Sequence, residues 1–265
     1  MPRRASLPEV TEAIRQRTGS TTTAGVPAEV RALLDAGLIE SVNLSEWLVV
    51  DQPKLLATVC AANDWSDWLP EFTAALARLK TPTAPKRLEA IGQVFATKVS
   101  ARNYSGLVKR LRSHPSDIVR GWGAYVVGRR AGLSLGERLE QIRPFAADGN
   151  MGVREVAWMA VRDALAAELT TAIDLLAPWT GEADANLRRF ASEATRPRGV
   201  WCRHITALKE APELGLPILE PLKADPAKYV RDSVANWLND ASKSRPNWVR
   251  ELCDLWVTTS PPRET

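Results

Sequence analysis

The stretch RRFASEATRPRGVW, residues 188–201, sets one carboxylate, Glu193, among Arg188, Arg189, Arg196 and Arg198 and ends on Trp201. Two readings follow. One is a surface salt-bridge patch. The other is a site that handles a cation, or a developing cation, while it grips a polyanion. Acids in a groove that binds nucleic acid repel phosphate, so they need a chemical reason. Cleavage of an N-glycosidic bond supplies one. The sugar passes through an oxocarbenium-like state, which carboxylates stabilise while they orient or deprotonate the attacking water. One well-placed charge is worth about 3 kcal/mol, on the order of a hundredfold in rate. An N3-methylated base is itself cationic, and carboxylates with an aromatic face attract it.

The elements that would position these groups are helical. Apolar residues recur at helical spacing, Pro, Gly, Asp and Asn break the chain, and strand signals are scarce. Four segments align: HPSDIVRGWGAYVVG, DGNMGVREVAWMAVR, DANLRRFASEATR and DPAKYVRDSVANWLND. Each has a turn with Asp, then an apolar residue followed by Arg, then a helix. The arginines, Arg120, Arg154, Arg188 and Arg231, are spaced by 34, 34 and 43 residues. This is a HEAT-like signature. It predicts an all-α, HEAT-like helical-repeat solenoid with a concave basic groove, because each unit buries its apolar face only against its neighbours. The turn Asp can cap the incoming helix, and the repeated Arg can bridge to a neighbouring repeat's Asp.

Counted from each repeat Arg, Gly123, Val127, Ala157, Val161, Ala191, Ala194, Val234 and Leu238 form a core stripe. A second stripe places Glu155, Glu193 and Asp240 on one face of three successive helices. Tyr125 lies on the same stripe. The interval lengthens only around RPRGVWCRH, directly after Glu193, where Trp201 is a candidate pocket wall or a core tryptophan. The first half is less regular, with helices predicted near 27–36, 43–61, 65–79, 86–100 and 103–113. Residues 1–25 read as an N-terminal segment with a short helix and a flexible loop, 26–258 as a single HEAT-like repeat domain, and 259–265 as a frayed tail.

Composition narrows the classes. The net charge is +4, 26 of the 35 basic residues are Arg, and fifteen arginines lie between Arg102 and Arg203. That concentration suggests a polyanionic partner. No apolar run reaches the roughly 18 residues of a membrane span, and the N-terminus has no signal-peptide pattern. Cys60, Cys202 and Cys253 are far apart and form no CxxC metal site. The two histidines, His114 and His204, are not followed by Glu, which argues against metal chemistry. GWGAYVVG follows no strand and does not fit a dinucleotide loop.

VREVAWMAVR, RRFASEATRPRGVW and YVRDSVANWLNDASK resemble the AlkC branch of the AlkC/AlkD family of bacterial DNA alkylation-repair glycosylases. GLIESVNLSEWLVVD, residues 37–51, is similar to the N-terminal part of that branch. The resemblance implies a monofunctional glycosylase without metal or cofactor that excises cationic N3-methylated bases, such as 3-methyladenine and 3-methylcytosine, in base excision repair. It implies Glu193, Asp240 and Glu155 as catalytic acids and Trp201 as the aromatic of the lesion pocket. Trp158 and Tyr125 are further candidates for that pocket. Arg188, Arg189, Arg196, Arg198, Arg203 and Arg129 are expected to contact DNA. The partner is double-stranded DNA containing alkylated bases, and the protein is expected to be a monomer in the bacterial cytosol, associated with the nucleoid. The alternative is a non-catalytic HEAT-repeat module that binds DNA or protein, since the fold does not fix the function.

Overall fold

The computed structural model describes residues 8–259. Among them are helices and turns only, and the packing falls into two compact units. The first comprises Met1–Gly132 and Asp148–Ala160, and the second Leu133–Ala147 and Val161–Thr265. The tail expected to fray lies outside the described residues except for Thr259.

The first unit contains α1 (Glu12–Arg15), α2 (Ala28–Asp35), α3 (Leu44–Val49), α4 (Gln52–Ala62), α5 (Leu69–Ala77), α6 (Ala84–Lys98), α7 (Tyr104–Arg112) and α8 (Asp117–Arg129). The helix expected over 43–61 is two helices. Asn43 caps α3 by accepting from the Glu46 amide, and Asp51 caps α4 by accepting from Lys54. Pro53 sits in the first turn of α4, where its missing N–H costs nothing. The N-terminal segment is tied down by a forked ion pair. Arg17 donates Nε and Nη2 to the fully buried Glu46 at 2.8 and 2.7 Å.

Helix α8 is the core of this unit and is buried along most of its length. Its close packing needs glycine. A Cβ on Gly92 of α6 would lie 2.3 Å from Tyr125 Cβ, and one on Gly128 would lie 2.2 Å from the Ala160 carbonyl oxygen. The glycine-rich look of GWGAYVVG therefore comes in part from helix packing.

Helix α10 (Met151–Ala167) crosses from the first unit into the second. The second unit also contains α9 (Leu135–Ala146), α11 (Leu169–Leu176), α12 (Ala185–Ala194), α13 (Thr206–Glu210), α14 (Leu216–Leu222), α15 (Lys228–Ser242) and α16 (Pro246–Thr259). Ser134 and Glu137 form a capping box on α9, and Asp184 caps α12.

The repeat arginines have one geometry. Nη1 of each donates to the carbonyls six and five residues earlier in the turn. Arg120 reaches His114 and Pro115, both at 3.0 Å. Arg154 reaches Asp148 and Gly149 at 2.7 and 2.8 Å. Arg188 reaches Glu182 and Ala183 at 2.8 and 2.9 Å. Arg231 reaches Asp225 and Pro226 at 2.7 and 2.8 Å. The expected bridge to a neighbouring repeat is made by Arg120 with Asp148 at 3.0 Å and by Arg188 with Asp225 at 2.6 Å. All eight residues of the predicted core stripe are buried.

Gly128→Ala should destabilise the protein by about 2 kcal/mol through overpacking against α10, read as a lower thermal midpoint. Arg188→Met strands the buried Asp225 carboxylate and should cost about 3 kcal/mol at neutral pH. Burial opposes ionisation of Asp225, but the Arg188 bonds more than offset it and hold the carboxyl below its usual range. Its stabilisation is therefore present above the unfolded pKa of about 3.9 and is lost as pH falls through the depressed folded value. Denaturant titrations should show the gap between wild type and Arg188→Met narrowing below about pH 4.

Candidate active site

The second unit brings Glu193 and Asp240 together. Helices α12 and α15 pack with their C-terminal ends side by side. Ser192 Oγ meets Ser233 Oγ, and Trp237 Nε1 donates to the Thr195 carbonyl at 2.9 Å. One turn further on, Arg196 spans the two acids. Its Nη1 lies 3.2 Å from Glu193 Oε2 and its Nε lies 2.9 Å from Asp240 Oδ2. Gly215 permits this register, since a Cβ there would strike the Trp237 ring at 2.5 Å.

Both carboxylates are almost inaccessible, with side-chain exposures of 1% and 3%. Both also stand near helix C-termini, where the helix dipole disfavours negative charge. Arginine offsets this. Arg196 is half-buried, which works against its charge, yet Glu193 and Asp240 raise its pKa above the ordinary value. Arg189 Nη2 approaches Glu193 Oε1 at 3.2 Å without hydrogen-bond geometry, so that buried oxygen has no hydrogen-bond donor. Asp240 Oδ1 has a long contact with Lys243 at 3.4 Å. Each acid thus keeps one oxygen weakly held.

The inserted residues after α12 form a turn held from inside by a residue the sequence pattern did not single out. Arg162, 1% exposed, points its guanidinium into the backbone of this segment. It donates to the carbonyls of Ala194 at 2.7 Å, Arg203 at 3.2 Å and Arg196. Burial lowers its pKa, partly offset by the nearby Cys202, Asp240 and Glu193. The signal was available in VREVAWMAVRDAL, where an Arg stands on an otherwise apolar helical face. Burial pushes the Cys202 thiol up despite Arg162 and Arg196, which favours the neutral thiol.

Trp201, at the tip of this segment, is 54% exposed and is not a core tryptophan. Its backbone is left-handed, with φ of 59°. A bulky side chain rarely adopts that conformation, and where it persists the surrounding structure enforces it.

Several sequence expectations are corrected. Trp158 and Tyr125 are buried as core residues, not pocket walls. Trp158 Nε1 donates to Glu155 Oε2 at 2.9 Å, so Glu155, in the first unit, braces a tryptophan. Arg188 is engaged by Asp225 and two turn carbonyls, and Arg196 by the two acids. Arg198 donates to Ser244 Oγ at 2.6 Å and to the Asp240 carbonyl at 3.3 Å. Arg129 pairs with Glu89 and lies 5.9 Å from the Tyr125 ring centroid. Arg189, besides Glu193, lies over the Tyr229 ring at 4.3 Å. Of the six arginines expected on DNA, Arg203 alone is exposed, and it has no acidic partner among the described residues. Those residues also hold no cluster of three or more His, Cys, Asp or Glu suited to a metal ion, and no helix long and apolar enough to cross a membrane.

Arg162→Met should release the inserted segment. Stranding three carbonyls should cost at least about 2 kcal/mol of local stability, roughly a thirtyfold gain in opening. Limited trypsinolysis should then cut faster after Arg198 and Arg203 while the helical circular dichroism is retained.

No family model matches the chain. Over 102 residues, 38% of this chain, it is 45% identical to the uncharacterized protein YhaZ of Bacillus subtilis, covering 29% of that protein. The alkylpurine DNA glycosylase AlkC of Pseudomonas fluorescens, solved bound to DNA containing an abasic site analog, is 26% identical with a TM-score of 0.63. That match covers 76% of this chain and 55% of AlkC. The structure of smu.31 from Streptococcus mutans UA159 is 24% identical, covers 71% of this chain and 92% of its own, and has a TM-score of 0.56. AlkD2 from Streptococcus mutans is 20% identical, covers 75% and 91%, and has a TM-score of 0.56. The chain spans about half the length of AlkC and less than a third of YhaZ. With repeating helices, arginine-clamped turns and these structural neighbours, the chain has the HEAT-like repeat fold of the AlkC and AlkD proteins.

Proposed function

We propose that this protein is a monofunctional DNA glycosylase that hydrolyses the N-glycosidic bond of cationic N3-methylated bases such as 3-methyladenine and 3-methylcytosine. The observation that carries this reading is the Glu193–Arg196–Asp240 cluster, two buried carboxylates at helix C-termini, followed in the chain by a segment that exposes Trp201 on a left-handed backbone. Such an arrangement works against stability, and buried acids with weakly held oxygens are what cation chemistry requires. The likeness to AlkC, a DNA glycosylase, adds support.

In this mechanism Trp201 meets the lesion with its ring face. The methylated base leaves with the electrons of the C1′–N bond and becomes neutral, so no general acid is needed. The positive charge passes to the sugar, where Asp240 and Glu193 oppose it. Water adds at C1′, and its proton passes to a carboxylate or to solvent. The strand stays uncut: Lys243, the lysine beside Asp240, is engaged with that carboxylate at 3.4 Å rather than serving as an amine nucleophile for a Schiff base. Arg203 contributes to phosphate binding, and the protein acts as a cytosolic monomer on duplex DNA.

A scaffold reading has one observation in its favour: most of the central arginines are paired within the fold. The two readings separate on base release. Incubated with N-methylated DNA, the protein should release 3-methyladenine or 3-methylcytosine and no uracil. Asp240→Asn and Glu193→Gln should each lower release about a hundredfold. DNA affinity should hold or rise in both, since an acid near phosphate is removed. Parallel loss of thermal midpoint and affinity, with release following them, would mark the acids as structural. Trp201→Gly gives a second check. Glycine tolerates the left-handed backbone, so the midpoint should hold or rise while base release falls. Duplex affinity should drop with salt by a log–log slope of about 0.9 per phosphate contacted. No release of any methylated base would overturn the glycosylase reading.

A further inference from the structure

The first unit carries a separate constellation that the proposed chemistry does not use. Between the end of α4 and the start of α7 lies a cavity of about 560 Å³. Its lining includes Trp65, Trp68, Arg102, Asn103, Gly106 and Arg110. Trp65 and Trp68 are parallel to within 4°, with ring centroids 5.9 Å apart. Phe95, fully buried, meets both nearly edge-on at 5.4 and 6.2 Å. The two indoles, half-buried at the short 3-10 turn Ser66–Trp68, thus form a braced aromatic platform at the margin of the core that Phe95 shares with Phe72 and Trp122.

Cations flank the platform. Arg110 lies 5.7 Å from the Trp65 ring centroid, and its Nη1 donates to Asn63 Oδ1 at 3.0 Å, which fixes its position. Arg102 is exposed and has no acidic partner among the described residues. Asp64 is the one acid in the lining. It occupies the left-handed region, with φ of 56°, in the turn that leads into Trp65. Lys109 and Arg112 extend the basic surface along the exposed face of α7. A Cβ on Gly106 would meet nothing within 4 Å.

A flat aromatic face beside two guanidinium groups selects a ligand that is itself flat and anionic. Base stacking on tryptophan and phosphate pairing with arginine describe a nucleotide. We propose that this cavity binds a nucleotide unit of single-stranded nucleic acid, with its base on the Trp65–Trp68 platform and its phosphate on Arg102 and Arg110. Neighbouring phosphates then run onto Lys109 and Arg112. The site does not depend on the glycosylase reading, because none of its residues belongs to the Glu193–Asp240 cluster.

The test is fluorescence anisotropy of a labelled octathymidylate with the full-length protein at low salt. The double variant Arg102→Gln, Arg110→Gln should bind about tenfold more weakly, with an unchanged thermal midpoint. Gly106→Leu fills the cavity mouth and should weaken binding similarly. Its midpoint should hold or rise, since glycine is replaced at an open helical position. Arg250→Gln, which removes an exposed arginine of α16 outside both sites, should bind as the wild type does. Competition with thymidine monophosphate identifies the source. Displacement only by oligonucleotide supports the single-strand assignment, and equal displacement by the mononucleotide overturns it in favour of a free nucleotide. The site itself is overturned if the wild type does not bind, if both cavity variants bind like wild type, or if Arg250→Gln loses as much as they do.

Discussion

Every helix C-terminus leaves backbone carbonyls without a partner, and a protein made of short helices multiplies the problem. This chain answers it with arginine. Four repeat arginines close four turns by the same two bonds from Nη1 to the carbonyls six and five residues back. A lysine could supply the charge but not the fork. Guanidinium presents several N–H groups in one plane, so Arg120 and Arg188 bind the turn and a neighbouring repeat's acid at once. Arg162 extends the solution to an irregular segment, where three carbonyls around one buried guanidinium replace the ladder that a helix would have provided.

The candidate site is built on the same problem with the opposite sign. At the ends of α12 and α15 the carbonyl dipoles already concentrate negative charge, and Glu193 and Asp240 add to it. Buried carboxylates there are tolerable only with cations beside them, and Arg196 and Arg189 fill that role. Arg162 brings a further positive charge close by, although its own bonds go to backbone. The cluster is therefore balanced by groups that are themselves locked in place. Under the proposed function, a developing sugar cation would meet preset charges that need little reorganisation, which is the condition under which electrostatic stabilisation of a transition state is large.

Periodic features were legible in the sequence, and singular ones were not. The D…VR…A interval placed the four repeat arginines and the buried stripe, because both recur and a recurring constraint leaves a period. It also brought out Glu193 and Asp240, whose shared stripe position does place them side by side on α12 and α15. The stripe failed for Tyr125, which is buried, and Trp158, a pocket candidate that lay off the stripe, is buried as well. An aromatic next to an inward acid can face the core as easily as the cavity, and spacing alone does not separate the two. The break at Val50–Asp51 was missed although Asp51 and Pro53 are both helix-start signals, since the apolar pattern runs through them. Arg162 was missed because a single buried arginine has no period. Its sequence sign is only a charge where the helical pattern calls for an apolar residue.

Charge composition misled in an instructive way. Fifteen arginines between Arg102 and Arg203 read as a surface for a polyanion, yet most of those on the acid stripe and the inserted segment are paired inside the fold. Net charge counts a guanidinium equally whether it clamps a carbonyl or faces solvent. The cations that face solvent without an acidic partner include Arg203 and, in the first unit, Arg102, Lys109 and Arg112. An arginine-rich helical repeat therefore has to be read in two passes. The arginines that recur at the repeat period are withdrawn first as turn clamps, and only those that break the period remain as candidates for a partner. By that measure the region around Trp65 and α7, which has no place in the repeat, carries as much of the nucleic-acid signal as the segment around Glu193.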